Sequence, residues 1–108
     1  MANIGNVTDQ DFEDKILKSQ TPVMVDFWAE WCVPCHMVSP VVEEIGQETE
    51  GLSVAKVNVD ENPEVTRQYG VMSIPTLIVF KDGQEKARVV GARSKDAILK
   101  DIEPHIAA

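Results

Sequence analysis

Apolar positions along the chain change period several times, and each change marks an expected element. Pro22-Val23-Met24-Val25-Asp26-Phe27-Trp28-Ala29 is apolar at nearly every position and rich in β-favouring residues, the pattern of a strand covered on both faces. It is the expected central strand. Before it, Thr8 with Asp11 three positions on forms a capping box in its Asp form, and Phe12, Ile16 and Leu17 share one helical face. A first helix is predicted from roughly 8 to 19, preceded by a weak strand around Ile4 and Val7.

After the central strand, Pro34 suits a first helical turn, and Met37, Val38, Val41, Val42 and Ile45 recur at helical spacing until Gly51. Pro40 is expected to kink that helix. Leu52 to Asp60 reads as another strand, and Asn62-Pro63-Glu64 as N-cap, first position and first-turn acid of a short helix ending at Tyr69-Gly70. Thr76 to Phe80, the turn Lys81-Asp82-Gly83-Gln84 and Ala87 to Val90 make a hairpin. Ser94 then caps a last helix that buries Ile98, Leu99, Ile102 and Ile106, with Asp96 near its positive end. The alternation predicts an α/β fold in which helices cover both faces of a mixed sheet through right-handed crossovers.

Length and charge narrow the classes of partner. A chain of 108 residues suits one domain spanning 1–108. With 18 acidic against 10 basic residues the net charge is -8, which repels nucleic acid and anionic membrane surfaces. No apolar run approaches the roughly 20 residues of a bilayer span, and the first residues lack the features of a secretory signal. The expected location is cytoplasmic, or an organelle stroma or matrix if a transit peptide was removed. Two cysteines provide no multi-bridge framework.

Those cysteines carry the candidate chemistry. Trp31-Cys32-Val33-Pro34-Cys35 falls where the central strand gives way to a helix, at the carboxyl end of a strand, where ligands bind in open α/β sheets. Two residues three apart in a first helical turn have Cα atoms about 5 to 6 Å apart, within disulfide range. The free N–H groups of the helix start stabilise a thiolate, so Cys32 is the expected nucleophile. A purely structural staple is a weak alternative, because so small a ring is worth roughly 2 kcal/mol against about 4.7 for a loop of about 100 residues. Structural zinc lacks ligands, since only His36 and His105 accompany the pair. Inert core thiols fit poorly in a turn expected to be exposed.

Asp26 is an acid in an apolar strand. Burial would raise its pKa and suit it to take a proton from Cys35; the alternative is a strand-end carboxylate facing water. Lys56 interrupts Val54-Ala55-Val57-Val59 and is either a partner of Asp26 or a snorkelling lysine. Pro75 marks a strand start. Trp28 reads as core packing, and His36 and His105 as surface residues on helices.

Several ordered blocks together resemble the thioredoxin family almost end to end: Val25 to Cys32 with Pro34-Cys35, Val54 to Asp60, Asn62-Pro63, Tyr69-Gly70-Val71, Ile74-Pro75-Thr76, Phe80 to Gly83 and Val90-Gly91-Ala92. The resemblance implies the thioredoxin fold, a central mixed five-stranded sheet flanked by four helices, with a cis peptide before Pro75. It implies reduction of disulfides in partner proteins, in which Cys32 attacks, Cys35 resolves, Asp26 transfers a proton and Lys56 tunes Asp26. Trp31, Val33, Pro34, Ile74, Pro75, Gly91 and Ala92 would line the substrate groove, where an extended segment pairs with backbone. The implied electron source is a thioredoxin reductase drawing on NADPH or ferredoxin. No bound cofactor or metal is expected beyond the redox-active disulfide, and a monomer is expected.

Two positions depart from the family pattern: Val33 stands where Gly is usual, and His36 where Lys or Arg is usual. Residues between the cysteines stabilise dithiol and disulfide unequally, so Val33 leaves open an oxidase or isomerase reading. A binding module that uses the apolar rim while the thiol chemistry is incidental is the reading from another class. Activity surviving the loss of both sulfurs would single it out.

Overall fold

The computed structural model describes residues 3–106. Five strands, β1 (Asn3–Asn6), β2 (Val23–Trp28), β3 (Ser53–Asn58), β4 (Thr76–Lys81) and β5 (Gln84–Val90), form one mixed sheet in the order β1-β3-β2-β4-β5. β2 lies in the middle, parallel to β3 and antiparallel to β4. This explains its composition, since a central strand with helices on both faces has no side exposed to water. Three α-helices follow in chain order, α1 (Val33–Glu48), α2 (Pro63–Gln68) and α3 (Lys95–Ile106), with a short π-helical segment at Glu13–Leu17. This is the thioredoxin fold, a mixed five-stranded sheet with four helical segments.

The alternation of β2 divides the core. Val23, Val25 and Phe27 point to the face covered by Phe12, Ile16 and Val65, where Phe12, Tyr69 and Phe80 form an aromatic cluster with centroids 5.0 to 5.6 Å apart. Met24 points to the other face, packed by Val38, Val42 and Ile45 of α1 and by Ile98 and Ile102 of α3. Residues two apart on a strand share a face, so Asp26 lies on the α1 side. Gly46 lets α1 lie close on β3: a Cβ there would stand 2.8 Å from a Val54 methyl. Lys95 joins α3 to α1 through Glu44 and Glu48.

The first helix differs most from its sequence pattern. Only half of the Thr8–Asp11 box forms, with Thr8 N–H donating to Asp11 Oδ1 at 2.7 Å, while Asp11 N–H turns to the Thr8 carbonyl. Asp9, in the turn that opens this region, is engaged elsewhere. Its carboxylate accepts from the N–H groups of Glu64 and Val65 and so caps α2 from a distant part of the chain. The expected N-cap of α2, Asn62, makes no capping bond; its Oδ1 accepts from Asp9 N–H instead. α1 runs through Pro40. The hairpin turns on Asp82 and Gly83, whose φ angles of 55° and 78° suit a two-residue turn with positive φ at both positions. Ser94 caps α3 as expected, its Oγ accepting from Ala97 N–H.

Candidate active site

β2 ends at Trp28, and a short turn hands the chain to α1. Cys32 is the N-cap of that helix in extended backbone conformation, and Pro34 occupies its first turn. This geometry brings Cys32 and Cys35 together as a disulfide with Cα atoms 5.2 Å apart. The N–H of Cys35, one of the orphan donors of a helix start, donates to Cys32 Sγ at 3.2 Å. The carbonyl oxygen of Ile74 lies 3.9 Å from the same sulfur.

The turn itself is exposed, as expected, yet both cysteines are buried, at 3% and 1% exposure. Neighbouring side chains cover them: Trp28, Val59 and Ile74 pack around Ala29, Cys32 and Cys35. The reading of Trp28 as core packing is therefore incomplete, because it is a wall of the cysteine site. Its ring also receives Lys56 Nζ at 4.7 Å from the centroid and the edge of His36 at 6.2 Å.

Beneath this layer Asp26 is wholly buried, and neither carboxylate oxygen has a hydrogen-bond partner among the described residues. Loss of hydration disfavours its charged form and pushes its pKa up to about 6, against the opposing attraction of Lys56. Asp26 and Lys56 are register partners across β2 and β3. They do not form the direct pair that sequence suggested. Lys56 Nζ instead donates to Ser39 Oγ at 3.2 Å while lying over Trp28, because a half-buried ammonium finds a hydroxyl and an aromatic face within reach and keeps some contact with water.

The cis peptide Ile74–Pro75 stands opposite the cysteines. The Pro75 carbonyl accepts from Gly91 N–H at 2.8 Å, which sets Gly91 and Ala92 beside it. Pro75 is buried, Ile74 and Gly91 are half-buried, and Trp31, Val33, Pro34 and Ala92 are exposed.

Comparison with known proteins agrees with this geometry, since the Thioredoxin family model matches residues 3–104. The chain belongs to the thioredoxin family. Thioredoxin 1 of Nostoc sp. is 52% identical over 107 residues, which is 98% of this chain and 100% of the relative. Thioredoxin of Rickettsia bellii is 49% identical, covering 94% and 98%. Thioredoxin of Mycobacterium tuberculosis is 56% identical, covering 89% and 84%. With its CxxC pair at disulfide distance, this thioredoxin-family chain is a thiol–disulfide oxidoreductase of the protein-disulfide reductase type.

Four side chains at the site escaped the sequence reading. Asp60 Oδ2 accepts from Trp31 Nε1 at 2.8 Å and holds that indole on the rim; the family block Val54 to Asp60 contains it, but no spacing links it to Trp31. Ser39 looks like any polar helix position until Lys56 is seen to reach it. Met37 and Met72 are exposed at 67% and 96%, although helical periodicity had placed Met37 among the apolar positions of α1. Among the described residues no group of three or more His, Cys, Asp and Glu side chains converges to hold a metal, and no helix is long and apolar enough to cross a membrane.

Proposed function

We propose that this chain, as one thioredoxin domain, is a general dithiol reductase of partner proteins, with Cys32 as nucleophile and Cys35 as resolving thiol. In the reduced form the Cys32 thiolate attacks one sulfur of a partner disulfide. The partner S–S bond breaks, a mixed disulfide forms and one partner thiolate leaves. Cys35 loses its proton and attacks Cys32 Sγ, releasing the second partner sulfur and closing the Cys32–Cys35 disulfide. Two electrons pass from the dithiol to the partner. A reductase of the thioredoxin reductase class returns them, so the protein acts as an electron carrier between that enzyme and its targets.

The observation that carries the role of Cys32 is its N-cap position with the Cys35 N–H aimed at its sulfur, an arrangement that favours a thiolate there. The unpartnered, buried carboxyl of Asp26 supports a proton acceptor for Cys35, because a group raised to about 6 exchanges protons near neutrality. Lys56 acts on Asp26 by its charge at a distance. The exposed rim of Trp31, Val33 and Pro34, with Ile74, Pro75, Gly91 and Ala92 opposite, suits an extended partner segment pairing with the backbone beside Pro75. Val33, in place of the usual Gly, is a specificity and potential-setting position on that rim. A cytoplasmic or stromal monomer without a bound cofactor fits the charge and composition.

Trapping tests the assignment of roles. Cys35→Ser is expected to accumulate a mixed disulfide through Cys32 when mixed with a disulfide-bonded protein, seen by non-reducing electrophoresis and peptide mapping. Multiple turnovers by that variant would refute the roles. Asp26→Asn is expected to slow resolution at neutral pH with little change in substrate KM, and Val33→Gly to shift the reduction potential with the fold intact.

A further inference from the structure

The described residues expose five large apolar side chains, and two are methionines at the edges of the redox site. Met72 is 96% exposed and lies two residues before Ile74, whose carbonyl stands 3.9 Å from Cys32 Sγ. Two residues of extended chain span at most about 7 Å, so Met72 borders the half of the groove formed by Ile74 and Pro75. Met37 is 67% exposed and lies four residues after Val33, which is equally exposed. Positions four apart stack on one helical face, so Met37 lengthens the rim formed by Trp31 and Val33. The two methionines thus flank the cysteines from different elements, the loop before β4 and the start of α1. The third described methionine, Met24, is fully buried between β2 and α1.

We propose that Met72 and Met37 are oxidation sites through which a hydroperoxide lowers the affinity of this rim for protein substrates. The proposal rests on the reductase reading above. In the step, the thioether sulfur attacks the hydroperoxide, the O–O bond breaks, and one oxygen passes to sulfur. The methionine becomes a sulfoxide by losing two electrons, and the hydroperoxide leaves as alcohol or water. A flexible apolar side chain becomes polar and chiral, and a docked partner must then desolvate an S=O group where it had met a thioether. The cysteines do not compete in the oxidised protein, where both sulfurs are tied up in the buried disulfide. Methionine sulfoxide reductases restore the thioether, so the change is reversible.

The test treats the disulfide form with hydrogen peroxide, removes the peroxide with catalase, and maps oxygen addition by mass spectrometry of peptides. Reduction of a disulfide-bonded protein is then measured before and after treatment, for the natural chain and for Met37→Leu with Met72→Leu. The ratio of KM values within each protein is compared, so that any basal change caused by the substitutions cancels. Expected are oxidation of Met72 and Met37 ahead of Met24, a rise in KM of about tenfold, equivalent to about 1.4 kcal/mol, and an unchanged kcat. The ratio stays near one in the double variant, and sulfoxide reductases of both epimer classes reverse the rise in the natural chain. Oxidation of both sites without a change in KM overturns the proposal, as does Met24 oxidising as fast, or an equal loss in the double variant. An untreated protein that reduces no protein disulfide refutes the reductase reading instead.

Discussion

The two faces of the sheet obey different rules. The face under Phe12, Ile16 and Val65 is closed by edge-on aromatic contacts among Phe12, Tyr69 and Phe80, and the buried polar side chains it carries, Thr76 and Ser53, are hydrogen-bonded. The face under α1 and α3 is apolar for most of its length and then, between Met24 and Trp28, buries an acid whose oxygens have no partner among the described residues. Burying such a group costs free energy that the first face never spends. That cost falls on the α1 side of the sheet, two residues before Trp28, a wall of the cysteine site. One face supplies stability, and the other gives some of it up to bury Asp26, the proton acceptor proposed above.

Removing the proposed nucleophile separates the two roles most sharply. Cys32→Ser is expected to abolish reduction of a disulfide-bonded protein while the denaturant midpoint of the variant stays close to that of the reduced natural chain. On the opposite face Phe80→Ala should do the converse, lowering stability by about 3 to 5 kcal/mol through transfer and cavity terms. Denaturant unfolding measures that loss, and the reduction potential of the surviving folded protein should not move.

Asp26 lies next in size. Its pKa in the folded chain, about 6, is above the ordinary value of 3.8 that holds when unfolded. The folded state therefore binds the proton more tightly between these values, so its stabilising effect is full below pH about 4 and is lost as pH rises through about 6. The difference corresponds to about 3 kcal/mol as an upper bound. Asp26→Asn should remove this fall, giving a flatter stability profile between pH 4 and 7 and a more stable protein at neutrality. A variant that keeps the full slope would assign it to another group. Lys56→Met should raise the pKa of Asp26 further, because the lysine now holds it down; a carboxyl titration by NMR that moves down contradicts this. The smallest effect is expected for Asp60→Ala. Loss of the exposed bond to Trp31 should cost no more than about 1 kcal/mol while changing the indole fluorescence and mobility.

How much of this was legible beforehand depends on the range of the interactions. β2, β4, the Asp82-Gly83 turn and the Ser94 cap follow from local pattern, and the structure keeps both strands within a residue, while β5 starts at Gln84, three residues before the return strand expected from Ala87. The segment after Thr8 carries a regular helical pattern, yet only Glu13–Leu17 is helical, and within it Asp9 makes a contact no local pattern shows, its carboxylate capping α2 more than fifty residues away. Asn62 lost its capping role in the same exchange. At the site, the cysteine pair and the isolated acid were visible because each breaks a local pattern. The position of Lys56 was not, since its choice of Ser39 and Trp28 over Asp26 depends on how α1 lies across β3. The burial of both sulfurs likewise comes from Trp28, Val59 and Ile74, brought together from three separate stretches of chain.

The central claim is that Cys32 and Cys35 work as a reductant of protein disulfides. Equilibrating the protein with a glutathione series and following the fluorescence of Trp28 and Trp31 gives the reduction potential of the pair. A value near that of thioredoxin, about -270 mV, is the predicted result. A value between about -180 and -120 mV, the range of isomerases and oxidants of this chemistry, would contradict it and make Val33 the residue that turned the site toward oxidation.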